Sequence, residues 1–161
     1  MSKTTIVSPP GLPFVEIIRE FDAPRELVYR AQMDPELLVQ WLGPRRYAMR
    51  VEVMEARDGG RYRYLHYDAE GNEFWFRGVH HGTPSPDGIT RTFEFEGVPG
   101  HVSLETLTLE EHGGKTVFHA RAAFQSVEDR DAMVDSGMAE GVDEGMERLH
   151  ELLAKLTPAR R

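Results

Sequence analysis

Apolar residues near the C-terminus fall at Val134, Met138, Val142, Gly145/Met146, Leu149, Leu152/Leu153 and Leu156, steps of three and four that trace one helical face over residues 127–156. A face of that length has to be covered by another layer. The rest of the chain supplies one: residues 46–125 hold six strand-like runs, separated by Gly59-Gly60, Gly71-Asn72, the 84–88 loop, residues 97–100 and Gly113-Gly114. Gaps of hairpin length between such runs make an antiparallel meander. Inner faces are offered by Tyr47, Met49, Val51 and Val53, by Tyr62, Tyr64 and His66, by Phe93 and Phe95, and by Phe118, Ala120, Ala122 and Phe124. A further strand precedes them at 14–21, where Val15, Ile17 and Phe21 share a parity that Arg19 breaks. Two short helices follow it. Pro24, with Asp22 as a candidate cap, opens the first over 24–33; Asp34-Pro35 opens the second, which runs through Trp41 and stops at Gly43-Pro44. The expected architecture is α+β: about seven antiparallel strands, two short helices after the first of them, and a long C-terminal helix across the concave side of the curled sheet.

Composition removes whole classes of function. Without cysteine, the chain has no disulfide framework, thiolate nucleophile, Cys-ligated zinc or iron–sulfur cluster. A net charge of -8 repels phosphate backbones, and Arg45-Arg46 and Arg160-Arg161 form no basic stripe, so no nucleic acid is expected as partner. No run of about 18 apolar residues exists to span a bilayer, and the N-terminus lacks a signal peptide's apolar stretch. A cytoplasmic protein with no membrane partner is expected. Pro9, Pro10, Gly11 and Pro13 mark residues 1–13 as a disordered tail, and 158–161 as a second one, leaving a single ligand-binding domain at 14–157.

A curved sheet holding a helix leaves a tunnel between them unless the side chains are large, and that is where a ligand is expected. Aromatic residues crowd the central strands: Tyr62, Tyr64, Trp75, Phe76, Phe93, Phe95 and Phe118, with His66 as a polar handle among them. They suit a mostly apolar molecule carrying one polar group. On the helix, Met138, Gly141 and Gly145 complete the expected lining, and Trp41 stands where the fold places the mouth. Gly137, Gly141 and Gly145 recur at four-residue steps, each costing roughly 0.8–1 kcal/mol of helix propensity. Either a guest or a strand backbone comes close there. The histidines do not spell a metal site: His80 and His81 are adjacent and point to opposite faces of a strand. GxSxG, P-loop and GxGxxG motifs are absent. Glu94, Glu96, Glu105, Glu110 and Glu111 alternate with apolar residues and read as the solvent face of the sheet. No catalytic residue, metal or cofactor is assigned.

The runs REFDAPRELVYRAQMDPELLVQWLGP (19–44), FRGV (76–79), FEFEGVPGHVSLETLTLEEHGGKT (93–116) and SVEDRDAMVDSGMAEGVDEGMERLHELL (126–153), with the Gly59-Gly60 turn, are similar to the bacterial relatives of the activator of the 90-kilodalton heat-shock-protein ATPase. These belong to the START-like (SRPBCC) superfamily. The resemblance extends from Phe14 to Leu156 and implies a helix-grip fold: strand, two helices, six strands, helix. It implies function only at the level of the superfamily, which includes lipid and polyketide carriers, hormone receptors, cyclases, dioxygenase subunits and the co-chaperone itself. The leading expectation is binding or carriage of a hydrophobic, lipid-like or aromatic small molecule in the tunnel, with a homodimer left open. The alternatives are a cyclase or hydrolase acting on such a ligand through a buried Glu or His, and a chaperone-interaction module. The last has the least support, because the chain lacks the additional N-terminal domain of the co-chaperone.

Overall fold

The computed structural model describes residues 3–157. Eight strands form one antiparallel sheet: β1 (Thr5–Val7), β2 (Phe14–Phe21), β3 (Ala48–Met54), β4 (Arg61–Tyr67), β5 (Glu73–Val79), β6 (Gly88–Phe95), β7 (Val102–His112) and β8 (Lys115–Ala123), in the order β1-β2-β8-β7-β6-β5-β4-β3. Helices α1 (Arg25–Met33) and α2 (Pro35–Leu38) follow β2, and α3 (Val127–Asp135) and α4 (Met138–Leu156) close the chain. This is the helix-grip fold. Among the described residues, no helix is long and apolar enough to cross a membrane.

The extra strand is a correction to the expected tail. Thr5, Ile6 and Val7 form a β-branched run suited to a pleated surface, and they pair with Ile18, Ile17 and Glu16 of β2. The prolines that suggested disorder occupy the connection instead, where the Leu12 amide donates to the Pro9 carbonyl. The expected tail at 158–161 lies outside the described residues, as do residues 1–2. In β3 the register shifts between Val51 and Val53, so Val53 opposes Arg63 and Met54 takes the place opposite Tyr62. The single parity expected for Tyr47, Met49, Val51 and Val53 is broken by that bulge.

The long helix is also divided. Ser126 accepts from the Asp129 amide and caps α3, whereas Gly137, at φ 87°, turns the chain in a left-handed conformation and starts α4. Only glycine adopts that conformation at little cost. Gly137 is therefore the corner of an elbow, outside the helix interior where periodicity placed it. Beyond the elbow the two halves of α4 differ. Met146, Leu149, Leu152 and Leu153 are buried in the core with Phe21, Val28, Leu109 and Phe118, each contributing about 1.5–3 kcal/mol by leaving water. Met138, Gly141 and Val142 are only half-buried.

Arg19 explains its break in parity. It points to the helix side of β2 opposite Phe118, is 3% exposed, and donates to Glu147 of α4 at 2.9 Å and to Thr4 at 3.2 Å. Its guanidinium also lies 5.3 Å from the Phe21 ring centroid. One buried cation thus ties the N-terminal strands to α4, with its charge offset by the carboxylate and the ring face.

The remaining α4 charges hold the loop between α2 and β3. Arg148 donates to the carbonyls of Gly43 at 2.9 Å and Gln40 at 3.0 Å; Glu144 accepts from the Arg45 amide, and Arg45 forks onto Glu151 at 2.7 and 2.8 Å. Glu144, Arg148 and Glu151 of α4 are thus engaged with this loop rather than with one another. It is also what approaches the glycines. A Cβ on Gly145 would stand 3.3 Å from the Gly43 nitrogen, and one on Gly141 would stand 3.4 Å from the Pro44 ring. A loop, rather than a strand backbone, lies against them.

Candidate ligand cleft beneath the helix elbow

Tyr62, Tyr64 and His66 alternate along β4 and face α4, and the antiparallel register sets Gly78, Phe76 and Phe74 of β5 opposite them. Gly78 is required here, since a Cβ on it would stand 2.0 Å from the Thr92 carbonyl oxygen and 2.4 Å from the Tyr62 ring. The Tyr62 ring crosses that gap and its hydroxyl donates to the Thr92 carbonyl, while the Thr92 hydroxyl accepts from the Val79 amide at 2.9 Å. Side chains thereby replace two rungs of the β5–β6 ladder. The ladder resumes at the His80–Arg91 bridge. Beside the gap the rings run continuously: Tyr64 to Phe76 at 5.4 Å, Phe76 to Phe93 at 5.4 Å and Phe76 to Phe95 at 5.2 Å between centroids. Offset aromatic pairs of this kind are each worth about 0.5–1.5 kcal/mol beyond their burial.

His66 ends the row against the loop, its ring 5.6 Å from both Tyr64 and Phe76 and directly beneath Gly43. Burial, and then the charge of Arg148, pull its pKa down to about 4, so the imidazole is neutral at neutral pH. Its Nδ1 is buried without a partner. His80 is fully enclosed 5.4 Å from Tyr62, with both ring nitrogens unpartnered, and burial followed by Arg91 lowers its pKa as well.

Polar groups gather at the centre of this wall. Arg91 and Glu105 sit directly opposite each other on β6 and β7, facing α4, with Arg91 Nε 3.3 Å from Glu105 Oε1 and the guanidinium 5.2 Å from the Tyr62 centroid. Burial first, and Glu105 second, push the Tyr64 hydroxyl well above its ordinary pKa, so it stays a neutral donor. Glu105, read from the sequence as solvent-facing, is on the helix side because its parity is that of Ser103, Leu107 and Leu109, all buried.

On the sheet, Phe76, Phe93, Phe95, Arg91 and Glu105 keep partial exposure, and so do Met133 and Val134 of α3 and Met138 and Val142 of α4. These partly exposed side chains of the wall and of the elbow are the candidate lining of a ligand cleft.

Ring contacts join Tyr64, His66, Phe76, Phe93 and Phe95 of the expected lining, with Tyr62 stacked beside Tyr64; Met138 is partly exposed on the first turn of α4. Five other residues of the expected lining lie elsewhere. Trp75 faces the opposite side of the sheet, paired with Leu65 and stacked under the Arg63 guanidinium at 3.8 Å; three consecutive aromatics on one strand cannot share a face. Trp41 is in the core, its indole nitrogen donating to the Ala31 carbonyl at 2.8 Å. Phe118 packs edge-on against Phe21, 6.1 Å away, under the buried half of α4. Gly145 is covered by the Trp41–Gly43 backbone, and Gly141 borders Pro44. Sequence reasoning missed Arg91 and Glu105, whose signal was an arginine between Ile89 and Phe93 on an apolar parity. A separate depression of about 300 Å³, bounded by Thr92, Leu104 and Ala123 among others, lies toward the face away from α4 and lacks such a wall. Among the described residues no cluster of His, Asp or Glu could hold a metal ion.

The family model described as "Activator of Hsp90 ATPase homolog 1-like protein" matches residues 22–154. A crystal structure from Rhodobacter sphaeroides is 28% identical and superposes with a TM-score of 0.86 over 95% of this chain and 99% of that one. A solution structure from Arthrobacter aurescens is 25% identical, with a TM-score of 0.86 over 97% of this chain and 93% of that one. A protein from the dynemicin biosynthetic locus shares the fold at 20% identity and a TM-score of 0.66, over 92% of this chain and 50% of that one. No curated protein matches the chain.

Proposed function

The chain belongs to the activator of Hsp90 ATPase homolog 1-like family of the START-like superfamily, and from that premise we propose that it binds or carries a hydrophobic small molecule between the sheet and the α3–α4 elbow. Folds of this class commonly bind hydrophobic ligands. The observation that carries the reading is that Phe76, Phe93 and Phe95 of the aromatic wall, and Met138 and Val142 of α4, stay partly exposed although each lies on the apolar face of its element. A guest that removes this surface from water gains about 25 cal/mol for each Å² of apolar area buried.

Thermal unfolding with 2-naphthol tests it. At a hundredfold excess over its dissociation constant, a ligand specific for the native state adds about 2.7 kcal/mol of stability, which raises Tm by several degrees in a domain of this size. An unchanged Tm up to the solubility limit of naphthol and of 1-octanol contradicts the proposal.

Glu105 supports a second reading, an enzyme using a carboxylate inside the cleft as general base. Its carboxylate is already engaged by the Arg91 guanidinium at 3.3 Å, which is why binding is the reading we put first. Conversion of a bound ester or polyketide-like substrate that stops in Glu105→Gln would establish catalysis.

A further inference from the structure

Arg91 is half-buried among apolar neighbours, yet its side chain is mostly unspent. Nε makes a 3.3 Å bond to Glu105, longer than the 2.7–2.9 Å of a strong charge-assisted bond. Among the described residues this is the one hydrogen bond its side chain makes. Nη1 and Nη2, which carry four N–H donors, are not among the buried unpartnered atoms, and the side chain is 21% exposed. The end-on edge of the guanidinium is therefore accessible and keeps donors free for a ligand. The groups nearest it are Glu105 from β7, Tyr62 and Tyr64 from β4 and His80, the bridge residue just after β5.

Taking as premise that an apolar molecule occupies the cleft, we propose that the ligand is an amphipathic monocarboxylate, its head held by the Nη1/Nη2 edge of Arg91 and its apolar body lying along Phe93, Phe76 and Phe95. Fork-on-fork geometry matches a planar carboxylate. Glu105 sets the charge: it already offsets Arg91, so a monocarboxylate leaves one uncompensated negative charge beside it and a dianionic phosphate leaves two, which disfavours the phosphate. From Arg91 to Phe95 the strand runs about 13 Å, which suits two fused rings or a medium-length acyl chain. In a chain with a net charge of -8, a cation held half-buried with an unused edge selects for an anion that general electrostatics would otherwise keep away.

Titration calorimetry with 2-naphthoate, 2-naphthol and 2-naphthyl phosphate tests this on wild type, Arg91→Met and Glu105→Gln. In wild type, naphthoate binds at least about tenfold tighter than naphthol, as a charge-assisted hydrogen-bond pair requires, and the phosphate binds more weakly than naphthoate. Arg91→Met removes the preference and keeps naphthol binding; Glu105→Gln tightens naphthoate several-fold. If naphthol binds and naphthoate binds no tighter, or the preference survives in Arg91→Met, the carboxylate assignment falls while the apolar reading stands. If neither binds wild type, both fall. Should Arg91→Met not fold, unchanged naphthoate affinity in Glu105→Gln overturns the assignment.

Discussion

His66 joins three parts of the molecule: the aromatic row of β4 and β5, the loop at Gly43 and the α4 side chain Arg148. With a native pKa near 4 against an ordinary 6.5, the unfolded chain takes up the proton first as pH falls. The unfolded state then binds more protons between those two values, so stability is full above about pH 6.5 and declines toward pH 4. By pH 5 the loss from His66 alone is on the order of 2 kcal/mol, and His80, shifted in the same direction, adds to it. Urea denaturation at pH 7 and pH 5 should show this loss in wild type and a clearly smaller one in His66→Gln; an equal loss in both would assign the slope to other groups. Gly43 belongs to the same contact. It sits at φ 88°, and a Cβ there would stand 2.7 Å from His66 Cε1, so Gly43→Ala combines backbone strain with displacement of a buried ring. A loss of about 1–3 kcal/mol in the same assay is expected.

At the level of elements, the strand and helix order was legible because the periods differ so sharply, and Asp34 opens α2 by accepting from the Glu36 amide, whereas Asp22 does not cap α1, whose N-cap is Pro24. The elbow was not. Glycine is tolerated inside a helix at modest cost and required at a left-handed corner, and nothing in a four-residue repeat separates Gly137 from Gly141. Only the coordinates assign φ 87° to the first and an ordinary helical conformation to the second. The distinction predicts opposite signs. Gly141→Ala places its Cβ at 3.4 Å from a proline ring, an ordinary contact, and should stabilise by up to about 1 kcal/mol through helix propensity. Gly137→Ala meets open space but keeps the strained φ, and should destabilise by about 1–2 kcal/mol. Chemical denaturation of the two variants beside wild type reads both. A stabilised Gly137→Ala would mean that α3 and α4 form one continuous helix, as the apolar periodicity alone suggests.

Over the whole molecule, one observation separates packing from binding: α4 is buried along its second half and partly exposed along its first, as is the aromatic wall of β5 and β6. Sequence patterning grouped Tyr64, His66, Phe76, Phe93 and Phe95 because each lies on the apolar parity of its strand, and their rings do meet. It misplaced Trp75, where Phe74, Trp75 and Phe76 give no parity to choose, and Trp41 and Phe118, where a ring that lines a cleft and a ring that fills a core carry the same signal. The Arg91–Glu105 pair could not be read, since cross-strand register is a property of the assembled sheet. Methionine methyls make the central claim directly measurable. Met138 borders the proposed cleft, while Met146 lies in the closed core eight residues along the same helix. In a methyl NMR titration of methionine-labelled protein with 2-naphthol, we predict progressive saturable shifts at Met138 with Met146 and Met33 nearly unmoved; shifts confined to other methionines, or none at saturating naphthol, would contradict a ligand site beneath the elbow.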